Sequence, residues 1–189
     1  SLQYKYRNFK KTFENEIQEL EQLNDYSDKS NYLLFIGSSS IKRWDSIESD
    51  MAPYSVLKRG YGGAHYYDLI HFIERLLKDK NKAKAVFIFV ANDITKINSW
   101  DKMHKNLSPK EIKKLFKVIT RKIYENISPE IPIYVIETTP TPSRWEVWNQ
   151  IANANDLIKA YTEKKSNLNF ISTRNYFLNK NGLPRGEYF

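Results

Sequence analysis

Apolar residues recur along this chain with two different periods. Near the amino terminus they are spaced by three or four positions, with glutamates between them, over about residues 4–23, which predicts an amphipathic surface helix. Further along, short runs are apolar and rich in β-branched or aromatic residues, a composition typical of buried strands. The predicted strands are Tyr32–Ile36, Ser55–Lys58, Ala85–Val90, Ile131–Glu137 and Asn169–Ile171.

Segments with helical spacing separate these predicted strands. Ala64–Leu77 and Arg144–Tyr161 each place apolar side chains on one face, and Ser108-Pro109 is a typical helix start. Alternating strands and helices, with strands that are apolar along their whole length, predict a parallel sheet covered on both faces. The 189 residues are therefore interpreted as one α/β domain, residues 1–189.

Composition narrows the possible chemistry. The chain contains no cysteine, which excludes thiol catalysis, cysteine-ligated zinc and disulfides. The three histidines, His65, His71 and His104, show no metal-ligand spacing, so no metal is predicted. The formal net charge is +8, but the lysines fall on predicted polar helix faces without a nucleic-acid-binding signature, so nucleic acid is not predicted as a partner.

The sequence says less about location and assembly. No apolar run reaches the ~20 residues that cross a bilayer, so no transmembrane segment is predicted. Because the first residue is Ser1 rather than Met, we expect a processed start. The compartment stays open, with an exported or periplasmic location favoured over a cytoplasmic one, and the oligomeric state stays open as well.

The loops after the first three predicted strands carry the candidate chemistry, because parallel α/β sheets bind ligands beyond the carboxyl ends of their strands. Ser39, between a strand and a helix start, can act as a nucleophile. The backbone N–H groups of Ser39 and Gly63 and the side-chain NH₂ of Asn92 can hold a developing oxyanion. The loops read Gly37-Ser38-Ser39-Ser40, Gly60-Tyr61-Gly62-Gly63 and Asn92-Asp93.

Each loop also has a plainer interpretation. A glycine followed by serines can be a capped strand-to-helix turn, and Asp93 is expected to be the N-cap of a helix after the third strand. The glycines of the second loop can form a tight turn or a phosphate-binding loop, although the P-loop lysine is missing. His65, at a predicted helix start, is interpreted as lining the pocket or, less favourably, as a replacement base.

Four segments together resemble SGNH/GDSL hydrolases, and the resemblance covers nearly the whole chain. Phe35–Trp44 is similar to the first block of that family in the variant G-S-S-S-I-x-x-W. Arg59–Gly63, with Asp68-Leu69 shortly after it, resembles the second block, and Asn92–Ile94 resembles the third. Thr139–Trp145 is similar to the P-S-R-W segment of the same subgroup.

The resemblance implies a flavodoxin-like three-layer α/β/α sandwich and a serine esterase or acylhydrolase without a cofactor. Its substrate would be a small-molecule ester, such as an acylated carbohydrate or a lipid ester. Carried over by position, Ser39 becomes the nucleophile and an oxyanion donor, and Gly63 and Asn92 become the other oxyanion donors. Arg144 and Trp145 become candidate substrate-binding residues, together with His65.

The D-x-x-H block of the family does not occur within these residues. Asn181–Phe189 resembles the run that leads into it, so we expect the catalytic Asp and His after Phe189. The alternative is a catalytically inactive binding module that uses the same pocket for an acylated sugar or a lipid head group. A third and weaker hypothesis is a nucleotide- or phosphate-binding α/β protein.

Overall fold

The computed structural model describes residues 9–96 and 105–189. A parallel five-stranded sheet lies at its centre with the strand order β2-β1-β3-β4-β5, which confirms the predicted sheet. The strands are β1 (Tyr32–Gly37), β2 (Val56–Gly60), β3 (Ala83–Phe89), β4 (Ile133–Ile136) and β5 (Leu168–Ile171). The strand order reverses next to β1, so the carboxyl ends of β1, β2 and β3 meet at the same edge of the sheet. Parallel α/β sheets bind ligands at this edge.

Helices connect the strands. The α-helices are α1 (Phe9–Gln22), α2 (Ser39–Lys42), α3 (Ile47–Asp50), α4 (Tyr66–Leu77), α5 (Pro109–Asn126), α6 (Trp148–Thr162) and α7 (Arg174–Phe177). Two 3₁₀ helices cover Pro142–Val147 and Gly186–Tyr188. Among the described residues, no helix is long and apolar enough to span a membrane.

Most of the core lies on the face of the sheet that α1, α4, α5 and α6 cover. The apolar stripe of α5 is buried there, and its first turn is fixed by a capping box in which Glu111 N–H donates to Ser108 Oγ at 3.2 Å and Ser108 N–H donates to Glu111 Oε1 at 3.0 Å. The predicted amphipathic helix also packs on this face, since Phe13 and Ile17 of α1 are buried.

The opposite face is covered near β1 and β2 by α2 and α3, which bury Ile41 and Ile47. Aromatic rings continue this core across the sheet. Phe87 stacks on Phe35 with ring centroids 4.5 Å apart and on Tyr134 with centroids 4.8 Å apart. The sheet is therefore enclosed by an outer layer on each side, as a three-layer sandwich requires.

One predicted helix begins differently. Arg144–Tyr161 was expected to be helical throughout, but its first part belongs to the 3₁₀ helix Pro142–Val147, and α6 begins at Trp148. The tighter i→i+3 turn is visible in the bond from Arg144 N–H to the Thr141 carbonyl oxygen at 3.2 Å. Side-chain bonds from Arg144 to the loop after β3 hold this turn in place.

Candidate active site

Ser39 is the first residue of α2 and follows the buried end of β1. It is partly exposed, whereas the neighbouring Ser38 is buried. The chain is tightly packed here, because a Cβ on Gly37 would lie 1.9 Å from the Phe89 carbonyl oxygen, which also accepts the Ser38 N–H at 3.0 Å. No acceptor among the described residues binds the Ser39 N–H, as is usual in the first turn of a helix.

The loop after β2 is held from two sides. A Cβ on Gly60 would lie 2.8 Å from the Cβ of Ile41, and the Gly62 N–H donates to Glu16 Oε1 of α1 at 2.6 Å. Gly63 has φ +73°, a left-handed conformation that favours glycine. Within residues 9–96 and 105–189, no acceptor binds the Gly63 N–H, so this group can donate to a ligand.

A buried hydrogen-bond network lies behind this loop. Asp68 is fully buried; its Oδ1 accepts from the Tyr61 hydroxyl, and its Oδ2 accepts from the His65 N–H at 3.0 Å and lies 2.9 Å from His65 Nδ1. Burial raises the pKa of Asp68, and the bonds from His65 and Tyr61 oppose that rise. Burial also raises the pKa of Tyr61, and the Asp68 charge adds to the effect. The network ties both ends of the loop to α4.

Asn92 follows β3 and connects the third loop to the second. Its side chain is buried, and Nδ2 donates to the Ala64 carbonyl oxygen at 2.9 Å. Asp93 was expected to cap a helix after β3, but the described residues that follow it, 94–96, are not helical. Its carboxylate instead accepts the Tyr66 N–H at 3.0 and 3.2 Å, so it caps the start of α4.

Arg144 fixes the orientation of the Asn92 side chain. Its Nη2 donates to Asn92 Oδ1 at 2.9 Å, and its Nη1 donates to the Ala91 carbonyl oxygen. Because a guanidinium group can only donate, the amide oxygen of Asn92 faces Arg144 and its nitrogen faces Ala64. Burial lowers the pKa of Arg144, and the nearby Asp93 charge opposes this.

A cleft of about 390 Å³ opens beside Ser39. It brings together three of the predicted site residues, Ser39, Asn92 and Arg144. Hydroxyl-bearing and aromatic side chains complete the walls. The lining consists of Ser38, Ser39, Ser40, Phe89, Ala91, Asn92, Thr138, Thr139, Thr141, Ser143, Arg144, Phe177 and Phe189.

Other predicted site residues lie outside this lining. Gly63 lies on the loop that Asn92 contacts through Ala64. His65 is only 2% exposed and contacts Asp68. Trp145 stacks on Trp148 with ring centroids 6.2 Å apart. The remaining histidines are His71, exposed on α4, and His104, which lies outside the described residues.

Sequence reasoning missed the role of Glu137, directly after β4. Its side chain is 1% exposed and accepts from the Thr173 and Arg174 N–H groups, each at 2.8 Å, and from Arg174 Nε at 2.6 Å. These bonds fix the start of α7, from which Phe177 lines the cleft. A glutamate at the end of an apolar strand was the available signal, since a buried carboxylate requires donors.

No protein-family model and no curated protein matches this chain, but solved structures do. A Streptococcus pneumonia protein, provisionally assigned as a platelet activating factor, aligns with TM-score 0.77 and 19% identity over 97% of this chain and 85% of that chain. A provisionally assigned Bacteroides fragilis acylhydrolase aligns with TM-score 0.67 and 18% identity over 93% of this chain and 84% of that chain. A GDSL-like lipase from Bacteroides thetaiotaomicron aligns with TM-score 0.57 and 16% identity over 96% of this chain and 91% of that chain. At these identities the likeness concerns the fold, and the expected three-layer fold is confirmed.

Proposed function

We propose that this protein is a serine hydrolase of the SGNH/GDSL type that cleaves a carboxylic ester through an acyl-enzyme on Ser39. One observation carries the proposal: Ser39 and Asn92 line the same cleft, and Asn92 also bonds to the loop that contains Gly63. A partly exposed hydroxyl thus lies among three adjacent loops that carry N–H donors. Ester hydrolysis needs this combination of a nucleophile and a preformed oxyanion site.

In the proposed reaction, Ser39 Oγ attacks the ester carbonyl carbon while its proton passes to a general base. The carbonyl oxygen becomes negative and is held by the N–H groups of Ser39 and Gly63 and by Asn92 Nδ2. Collapse of this intermediate expels the alcohol, which takes the proton from the base, and leaves an acyl-enzyme. Water, deprotonated by the same base, then releases the carboxylic acid and restores Ser39.

The base in this proposal is a histidine, oriented by an aspartate, that lies outside the described residues. One fact supports this placement: neither described histidine lines the cleft beside Ser39, since His65 is buried against Asp68 and His71 is exposed on α4. General-base catalysis contributes roughly 10² to 10⁴ in rate, so the proposal requires this group for full activity.

The cleft walls favour an ester with both apolar and hydroxyl-rich parts. Three phenylalanine rings offer apolar faces, and a row of threonine and serine hydroxyls can donate and accept hydrogen bonds. We therefore propose an acylated carbohydrate or a lipid ester as the substrate. Its acyl carbon would lie beside Ser39, and its alcohol part would contact the segment that contains Thr139, Thr141 and Ser143.

The test uses the full natural chain and 4-nitrophenyl acetate. Ser39→Ala should abolish turnover and covalent labelling by a fluorophosphonate, because both need an activated serine. Ser49→Ala is the matched control, since Ser49 is exposed on α3, bonds to the Ser46 carbonyl oxygen and lies outside the cleft lining. Turnover that survives Ser39→Ala would remove the acyl-enzyme mechanism. A full-length protein that binds acylated sugars but is never labelled would be a binding module instead.

A further inference from the structure

A stripe of positive charge runs along the outer face of α5. Four of its members follow one another at intervals of three or four residues, and the fifth is adjacent in sequence to one of them, so all five lie on one side of the helix. They line a groove of about 540 Å³ between α5 and α6, together with Val118 and Tyr161. The stripe consists of Lys110, Lys113, Lys114, Lys117 and Arg121.

Little negative charge offsets this stripe. Among the described residues, no carboxylate forms an ion pair with its four lysines, and Arg121 has only a loose contact of 3.7 Å with Glu125. Several cations elsewhere are paired more closely. Arg75, for example, donates to Glu14 at 2.9 Å and to Glu21 at 2.6 Å. Repeated like charges at these spacings destabilise a helix, so an anionic ligand in the groove would relieve a local repulsion.

The shape of the groove favours a linear ligand. From Lys110 to Arg121 the stripe spans twelve residues of helix, or about 16 Å at the rise of an α-helix. A bilayer surface fits poorly, because the cations line a concave groove and the exposed large apolar side chains of the described structure all lie outside α5 and α6. Peripheral membrane binding by a helix normally combines basic residues with apolar ones that enter the lipid.

The aromatic residue of the groove argues against a nucleic acid. Single-stranded nucleic acids are held by bases that stack on open aromatic rings. Here the ring of Tyr161 is flanked by Lys117 Nζ at 5.3 Å and Lys165 Nζ at 5.9 Å from its centroid. The ring thus contacts one lysine of the stripe and one further lysine, and it offers no open platform for a base.

From these observations we infer that the α5–α6 groove binds a linear acidic polysaccharide, through carboxylate or sulfate groups that face the lysine stripe. The site is separate from the cleft at Ser39, and the inference does not depend on ester hydrolysis. Binding there would hold the protein on an acidic glycan while the cleft remains accessible, since the two linings share no residue.

Fluorescence anisotropy with a labelled polygalacturonate dodecamer and a labelled heparin dodecasaccharide tests the inference and separates carboxylate from sulfate recognition. The triple variant Lys113→Gln, Lys114→Gln, Lys117→Gln should raise Kd at least about tenfold for the preferred glycan and lower the slope of log Kd against log salt by about two, because three released counterions are lost. Glutamine matches lysine in helix propensity, so α5 should persist, which circular dichroism checks.

The control removes the same charge elsewhere, with Lys78→Gln, Lys82→Gln and Lys84→Gln, all three exposed and outside the groove. It should change Kd less than about twofold. An equal loss of glycan affinity in both triple variants would mean that only the net charge of the protein matters, and it would overturn the proposed site. Failure of wild type to bind either glycan at low salt would also overturn it. Binding of a thymidine 20-mer or of anionic vesicles as tight as that of the glycans would replace the polysaccharide by another partner.

Discussion

The two edges of the β-sheet bury polar side chains in different ways. At the carboxyl edge, Asp68, Asn92 and Glu137 are each at most 5% exposed. Each exchanges hydrogen bonds with a neighbouring loop, and together these bonds hold the segments around the cleft. Buried polar groups with complete partners fix the positions of loops, so this edge is organised for binding and chemistry.

Near the amino edge, a lysine is buried with few partners. Lys80 precedes β3 and is 5% exposed, and Arg59 of β2, 1% exposed, extends toward it. Arg59 is paired with Asp25, whose Oδ1 lies 2.5 Å from Arg59 Nη2. Lys80 itself donates to the Lys78 carbonyl oxygen at 2.9 Å and lies 3.6 Å from the ring centroid of Tyr26. The comparison predicts that changes at the carboxyl edge lower activity or order, whereas a change at Lys80 raises stability.

The largest expected effect is that of Asn92→Ala on catalysis. Loss of one oxyanion donor should lower kcat by roughly 10²- to 10³-fold, with a small change in KM. Steady-state kinetics with 4-nitrophenyl acetate measures it. Asn169→Ala is the control, because that side chain donates to the Ile133 carbonyl oxygen at 3.3 Å within the sheet, away from the cleft. Similar kcat values for wild type and Asn92→Ala would contradict a role in the oxyanion site.

The next largest effect is expected for Glu137→Gln, which should lower the stability of the fold. Glutamine keeps the shape but removes the charge that holds Arg174 and two backbone N–H groups, so we expect a loss of about 2 kcal/mol in the free energy of unfolding, measured in urea. Asp156→Asn, which removes the exposed partner of Arg174, should cost less than about 0.5 kcal/mol. Equal losses in the free energy of unfolding for both variants would mean that the buried position of Glu137 does not strengthen its pairing with Arg174.

A smaller effect is expected for Arg144, which acts through Asn92 in this account. Arg144→Met should lower kcat about tenfold, because the Asn92 amide loses the charge-assisted bond that orients it. Arg144→Lys should recover part of the loss, since lysine donates but cannot form the paired contact with Asn92 and Ala91. A rise in KM with unchanged kcat would favour direct substrate binding by Arg144 instead.

These cases show which features could be predicted from sequence. The strands and the loops with Ser39, Gly63 and Asn92 follow from local patterns, because a buried strand, a glycine and a polar residue stand next to one another in the chain. The bond between Asn92 and Arg144 joins residues 52 positions apart, and that between Glu137 and Arg174 joins residues 37 apart. No periodicity encodes such pairs, since they depend on how separate crossovers pack.

The helix cap formed by Asp93 shows the same limit of sequence-based prediction. Asp93 has the type and position of a helix N-cap, and it does cap a helix, but that helix is α4, which precedes it in the chain. A side chain caps a helix when its oxygen accepts hydrogen bonds from the free N–H groups of the first turn. Its sequence neighbours do not determine which helix start lies closest in space. Local chemistry was therefore predicted correctly while its partner was not.

The smallest expected effect lies at the amino edge and depends on pH. Burial lowers the pKa of Lys80 from 10.5 to about 8, and Arg59 contributes to the shift. Folding therefore favours the neutral amine of Lys80. The contribution of the neutral amine to the free energy of unfolding is complete above about pH 10.5 and is lost as the pH falls through about 8.

At pH 7 the buried ammonium should cost stability that Lys80→Met removes. Against that gain stand the lost bond to the Lys78 carbonyl oxygen and the lost contact with Tyr26, so we expect a net rise of about 1 kcal/mol in the free energy of unfolding. The rise should shrink between pH 7 and pH 9.5 in urea titrations, with esterase activity unchanged. If the rise were the same at both pH values, methionine would act through packing and the charge at this edge would carry no cost.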